Sequence, residues 1–195
     1  MSNTAVRSKV VKIALAGEGG QGVQSVAEIL AEAANDEGRE ALYIPNFGVE
    51  QRGGVSVAYL QIADKPIAAP KFQTADIVVA LSDRAIFRTK QYVDPETLFV
   101  YDSSIQGVSE EDLPRNARKI LAIPALETAN SELHPRVFNV IIMGAVIKAT
   151  GVVSMEGAKK AIEKKLGYKF EQNPALRELN FRALEKGAEL VEKLL

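Results

Sequence analysis

Residues 17–22 read Gly-Glu-Gly-Gly-Gln-Gly, a loop so rich in glycine that its chemistry would be done mainly by backbone. Gly17 permits a tight turn. Gly19 lets main chain approach a ligand, and Gly22 lets a following helix pack close to the preceding strand. Unsatisfied N–H groups where that helix starts, at Val23, favour an anion. A dinucleotide site of this kind also wants an acidic residue about 20 positions on, at the end of the next strand. That region reads Leu42-Tyr43-Ile44-Pro45-Asn46, with no acid. Glu18, inside the loop, carries a charge that opposes a pyrophosphate. Three readings stand at this point: a tight turn with only a packing role, a nicotinamide or flavin nucleotide site, and a loop for another ligand or a partner.

A second stretch, residues 46–54, reads Asn-Phe-Gly-Val-Glu-Gln-Arg-Gly-Gly. Gly48, Gly53 and Gly54 allow unusual backbone angles. Glu50 and Arg52 either pair with each other and shape the loop, or Arg52 offers a fixed cation to a partner or a phosphate. Other polar residues read as structural first. His134, the single histidine, stands at a helix start. Asn139 lies in an apolar helix and needs a hydrogen-bond partner, for which a neighbouring backbone group is the simplest expectation and a ligand loop the other. Ser82 and Asp83 follow a strand, where a helix cap and a ligand contact explain them equally. The charged run at residues 159–165 fits a solvated helix face.

Composition narrows the chemistry. The chain has no cysteine, which removes disulfides, thiolate nucleophiles, cysteine-bound zinc and protein-held iron–sulfur clusters. With one histidine, a chymotrypsin-like triad is out of reach, and no catalytic residue is assigned. Lys+Arg total 24 against 25 Asp+Glu, so no overall basic field exists to hold nucleic acid or an anionic membrane. The 195 residues, 47% hydrophobic and 25% charged, fit one soluble domain over residues 1–195. Residues 10–16 are too few to span a membrane, and residues 1–9 show no signal-peptide pattern. A cytoplasmic location is the default expectation.

These loops must be held by the elements around them. Residues 10–16 read as a buried strand and residues 23–37 as a helix, with apolar positions Val23, Val26, Ala27, Leu30, Ala33 and Ala34 on one face and Gly38 as its stop. Residues 41–44 read as a short strand halted by Pro45. Further strands are expected at 55–62, 77–81, 98–101 and 119–123, with a short helix at 83–91. An almost uncharged helix covers 136–150, and its apolar surface needs burial by its own domain or by a partner. Amphipathic helices follow at 155–166 and 174–194, with a polar connection at 167–173. The alternation predicts an α/β, Rossmann-like, mainly parallel sheet with helices on both faces and C-terminal helices. The loop at 46–54 should then rise from the same sheet edge as the loop at 17–22.

The two motifs together, GEGGQGV at 17–23 and FGVEQRGGVSVAYLQI at 47–62, resemble the gamma subunit, or gamma domain, of the 2-oxoacid:ferredoxin oxidoreductases. DKPI at 64–67, ADIVVALS at 75–82, LFVYDSS at 98–104, AIPA at 122–125, the helix at 139–154 and the tail at 175–190 resemble that family in order. The likeness is closest to separate gamma subunits of the 2-oxoglutarate or branched-chain/pyruvate type. The beta subunit of indolepyruvate oxidoreductase is similar and stays open as an alternative, as does a free-standing Rossmann-like nucleotide-binding protein.

The resemblance implies a complex that converts a 2-oxoacid, coenzyme A and oxidised ferredoxin into acyl-CoA, carbon dioxide and reduced ferredoxin. Thiamine diphosphate, magnesium and iron–sulfur clusters are then expected on partner alpha, beta and ferredoxin-like delta subunits. The chain itself has no Gly-Asp-Gly diphosphate motif, holds no cofactor and is not catalytic alone. Gly17, Gly19, Gly20, Gln21 and Gly22 match the first family motif, and Glu50, Arg52, Gly53 and Gly54 the second. Both are expected to meet a partner subunit or coenzyme A. A homodimer of the isolated chain, through the helix at 136–150, stays open as well.

Overall fold

The computed structural model describes residues 10–47 and 54–194. Among them six strands form, β1 (Val11–Glu18), β2 (Glu40–Asn46), β3 (Val55–Ala63), β4 (Ile77–Ala80), β5 (Leu98–Asp102) and β6 (Lys119–Ile123). They make one sheet in the order β2-β3-β1-β4-β5-β6. β1, β4, β5 and β6 pair in parallel, while β3 runs antiparallel between β1 and β2. Side chains alternate across the sheet. Ile13, Leu15, Ile77, Val79, Val100, Leu121 and Ile123 enter one core. Ala14, Ala16, Val78, Ala80 and Phe99 enter the other.

The first core is roofed by α1 (Val23–Asp36), α3 (Ala125–Glu132), α4 (Phe138–Thr150), α5 (Met155–Gln172) and α6 (Ala175–Glu192). α1 buries Val23, Val26, Ile29 and Leu30, each worth about 1.5–3 kcal/mol on removal from water. The opposite face is covered more thinly. There α2 (Asp83–Thr89) contributes Ala85 and Ile86, and Tyr59, Phe72 and Tyr92 stack edge to face. β1 therefore sends its helix to one face and its parallel neighbour β4 sends α2 to the other. That divergence opens a crevice at the carboxyl ends of the two strands, the usual ligand position in an α/β sheet.

α4 lies inside the helical layer, with Val140 through Ile147 buried, as its apolar sequence requires. It touches α6 backbone to backbone. A Cβ on Gly144 would collide with Leu184 O, and one on Gly187 with Ile141 O.

Several boundaries differ from the sequence reading, each for a physical reason. β2 runs through Pro45 to Asn46, because it is the sheet's edge and a missing N–H there has no outer neighbour to serve. α5 continues to Gln172 through the segment expected as a connection. Ile162, Leu166 and Phe170 recur every four residues and pack on the core, which outweighs the cost of Gly167, about 1 kcal/mol relative to Ala. The helix expected from residue 136 opens as a 3₁₀ turn, Pro135–Val137, before α4. The helix expected over 83–91 ends at Thr89 and tightens into a 3₁₀ turn, Lys90–Tyr92.

α3 carries no helix signal of its own in the sequence. Its N-terminus is capped from 23 residues upstream: Ala125 N donates to Asp102 Oδ1 and Leu126 N to Oδ2, both at 3.1 Å. Ser104 N donates to the same Oδ1 at 2.9 Å. Asp102 is 1% exposed, so its loss leaves these donors without their partner. Asp102→Ala should cost about 3 kcal/mol, combining a lost cap with unpaired N–H groups. Thermal unfolding should show a midpoint lower by about 6–12 °C.

Candidate functional site

The loop at 17–22 joins β1 to α1 at the crevice. Its glycines divide into two sorts. A Cβ on Gly17 would sit 2.7 Å from both Gln21 Oε1 and Val23 Cγ2, and one on Gly22 would collide with the Asn139 amide. These two glycines are therefore needed by the fold. Gly19 and Gly20 have no atom within 4 Å of such a Cβ, so their backbone is open to an incoming group. Gly20 (φ 91) and Gly22 (φ 76) use the left-handed region, where a side chain is strained.

Gln21 is committed inside the chain. Its Oε1 accepts from Glu18 N at 2.7 Å and its Nε2 donates to Leu81 O at 2.9 Å. Gln21 N also donates to Glu18 O at 3.1 Å, closing the turn. The side chain thus staples the loop to the end of β4. Glu18 Oε1 lies 3.9 Å from Arg84 on α2, a loose and half-exposed pair that spans the crevice.

Gly22 caps α1 without a side chain, and the first turn holds no acid. The first bond of the helix runs from Val26 N to Gly22 O at 3.1 Å. N–H groups before it have no intrahelical acceptor, and the helix dipole adds to their pull on an anion. Around this terminus lie three polar side chains that motif spacing did not single out as a group. Tyr43 OH donates to Gln24 Oε1 at 2.6 Å, and burial pushes the Tyr43 phenol above its ordinary pKa. Asn139, from the first turn of α4, lies against Gly22. Its Oδ1 is buried and has no hydrogen-bond partner, so the neighbouring-backbone bond expected for it is absent and its place beside the loop stands instead. The signal for this group was a polar residue interrupting an apolar helix.

The two described ends of the second stretch lie at the same edge. Glu18 stands opposite Val55 and Gly17 opposite Ser56 in the β1–β3 ladder, while Asn46 stands opposite Val57. Gly54, half-buried, and Phe47, exposed, therefore flank the first loop. Glu50, Arg52 and Gly53 lie outside the described residues.

On the far side of the crevice, α2 borders an open cleft of about 630 Å³ lined by Val55, Arg84, Ile86, Phe87, Arg88 and Asp112. Phe87 is 79% exposed. Ser82 caps α2 by accepting from Ala85 N at 3.1 Å. His134 caps its 3₁₀ turn through Nδ1, which accepts from Arg136 N at 3.1 Å. Neither is arranged as an acid–base group. Among the described residues, no group of three His, Cys, Asp or Glu side chains is placed to hold a metal ion. The site is an open backbone surface at a helix N-terminus, flanked by a cleft that carries exposed Phe87 and mixed charges, Arg84 and Arg88 beside Asp83 and Asp112.

Residues 12–190 match the family described as Pyruvate ferredoxin/flavodoxin oxidoreductase. The 2-oxoglutarate synthase subunit KorC of Methanothermobacter marburgensis is 35% identical over 190 residues, covering 92% of this chain and 96% of that one. The ketoisovalerate oxidoreductase subunit VorA of Methanothermobacter thermautotrophicus is 31% identical over 179 residues and 92% of this chain, which spans only 36% of VorA. Among solved structures, the gamma subunit of a keto/oxoacid ferredoxin oxidoreductase from Geobacter sulfurreducens superposes with a TM-score of 0.77 at 28% identity, covering 94% of this chain and 99% of that one. The 2-oxoglutarate:ferredoxin oxidoreductase from Magnetococcus marinus, with 2-oxoglutarate, coenzyme A and succinyl-CoA bound, gives a TM-score of 0.85 at 26% identity over 96% of this chain and 32% of that chain.

Proposed function

The chain belongs to the pyruvate ferredoxin/flavodoxin oxidoreductase family, and from that premise we propose that it is the non-catalytic gamma subunit of a multi-subunit 2-oxoacid:ferredoxin oxidoreductase. The complex would convert a 2-oxoacid, coenzyme A and oxidised ferredoxin into acyl-CoA, carbon dioxide and reduced ferredoxin. The observation that carries the reading is the KorC match, which runs over 92% of this chain and 96% of a relative of the same size. VorA, of which the chain spans 36%, fits the same reading with the gamma region joined to further polypeptide.

Thiamine diphosphate, magnesium and iron–sulfur clusters belong to alpha, beta and delta partners under this reading. Without cysteine, the chain offers no thiolate for a cluster. Its own part is to bind and to shape: residues 1–195 form one gamma-type domain whose loops at 17–22 and 46–54 meet the alpha subunit. Gly19 and Gly20 approach a coenzyme A phosphate at the start of α1. Asn46 stands where a dinucleotide site would need an acid, which weighs against a free-standing nicotinamide enzyme. No described helix is long and apolar enough to cross a membrane, and we place the complex in the cytoplasm.

Co-expression with the genes for its partner subunits, followed by anaerobic purification through a tag on this chain, tests the proposal. Stoichiometric recovery of larger subunits that reduce viologen dye with 2-oxoglutarate, pyruvate or ketoisovalerate is the expected result. A lone, inactive chain overturns it.

A further inference from the structure

Among the described residues, the buried side-chain atoms without a hydrogen-bond partner are Gln24 Nε2 and Asn139 Oδ1. Both belong to carboxamides at the N-terminal end of α1. Gln24 is in its first turn, with Oε1 held by Tyr43 OH at 2.6 Å. Asn139 is in the first turn of α4 and presses on Gly22. An unpaired buried donor or acceptor destabilises a fold, and an apolar residue in its place is commonly neutral or better. Two such atoms at one point, beside an open glycine loop, mark a place where the fold carries a cost for something other than stability.

Gly22 is the joint between loop and helix. With φ 76, ψ 19 and no Cβ, it has wide backbone freedom, limited on its own residue only by the bond that its carbonyl accepts from Val26 N. Asn139 fills the space that a side chain at position 22 would occupy. We propose that Asn139 is a positioning residue for the loop at 17–22: its carboxamide blocks the swing of Gly22 and so holds the first turn of α1, with Gln24 anchored by Tyr43, in the orientation that aims the free N–H groups past Gly19 and Gly20. The role rests on the reading of that loop as the contact for coenzyme A or a partner. Asn139 acts through Gly22 and touches no substrate.

The test begins on the full chain by amide hydrogen exchange of Asn139→Ala. Gln21 N and Val26 N report on the joint, since their bonds to Glu18 O and Gly22 O close the turn and the first helical turn. Both should exchange about tenfold faster, while amides of α4 and α6 keep wild-type rates and the unfolding midpoint does not fall. Unchanged exchange at Gln21 and Val26, or faster exchange spread through α4 and α6 with a lower midpoint, overturns the proposal. The double variant Gly22→Ala with Asn139→Ala supplies a second measurement. The loss of Gln21 and Val26 protection caused by Gly22→Ala should be smaller in the Asn139→Ala background than in the wild type, and additive effects contradict the contact. In the assembled complex, Asn139→Ala should raise KM for coenzyme A about tenfold, with KM for the 2-oxoacid within about twofold of wild type. A wild-type complex that fails to assemble refutes the functional reading, while the exchange result still decides the positioning role.

Discussion

Gly187→Ala is expected to lower stability by about 3 kcal/mol, although alanine is the better helix former by about 1 kcal/mol. The reason is that the new Cβ meets backbone. It would collide with Ile141 O and sit 2.8 Å from Ala145 N and from Ile141 C. A side chain could rotate away, but the main chain of α4 is held on every side, since Val140 through Ile147 are buried. α6 must therefore back off and loosen the packing of Ala183, Leu184 and Val191, all fully buried. For a chain of 195 residues the midpoint of thermal unfolding should fall by about 6–12 °C. Gly167→Ala provides the contrast. That glycine lies within α5 with nothing within 4 Å of a Cβ, so its replacement should stabilise by about 1 kcal/mol. A neutral Gly187→Ala would show that α4 and α6 are not in backbone contact.

Gly19→Leu should have the reverse signature: little change in folding and a large change in activity. Its Cβ would meet no atom within 4 Å, and its backbone does not use the left-handed region. The unfolding midpoint should stay within about 2 °C of wild type. Under the proposed function, however, the side chain would stand where main chain comes close to a coenzyme A phosphate or to a partner loop. Removing that approach together with the helix-terminal donors behind it should cost about 3 kcal/mol of binding, or roughly 100-fold in activity of the assembled complex. Gly17→Ala should instead lose stability, because its Cβ lies 2.7 Å from Gln21 Oε1 and Val23 Cγ2. Activity and unfolding measured side by side on the two variants separate the ligand-facing half of the loop from its structural half. Wild-type activity in Gly19→Leu would remove the loop from the contact surface.

How far the sequence could be read depended on whether the signal was local. β6 is legible at its observed limits because Lys119–Ile123 is a short, mostly apolar run closed by Pro124, and α1 is legible to within one residue, ending at Asp36, because its apolar spacing and Gly38 are contiguous signals. α3 escaped notice because its cap, Asp102, is 23 residues away in sequence and its own segment, ALETANSE, has no apolar stripe. The tail of α5 is hidden in the sequence because Gly167 and the polar residues around it outweigh Phe170, whose burial appears only once the helix packs. At the site, the glycine spacing announced a loop but not the division of labour within it. That Gly17 and Gly22 serve packing while Gly19 and Gly20 face outward depends on Val23, Gln21 and Asn139, and the last of these is more than a hundred residues away along the chain.

Under the proposed function, this chain does no chemistry alone and is needed for chemistry carried by its partners. Its most direct test is an add-back titration under anaerobic conditions. Partner subunits prepared without this chain are mixed with increasing amounts of it, and 2-oxoacid- and coenzyme A-dependent viologen reduction is followed. Activity should rise from a low baseline and saturate at one chain per alpha–beta unit, while the chain by itself reduces nothing. Full activity in the partner subunits before any chain is added, or viologen reduction by the chain alone, would contradict it.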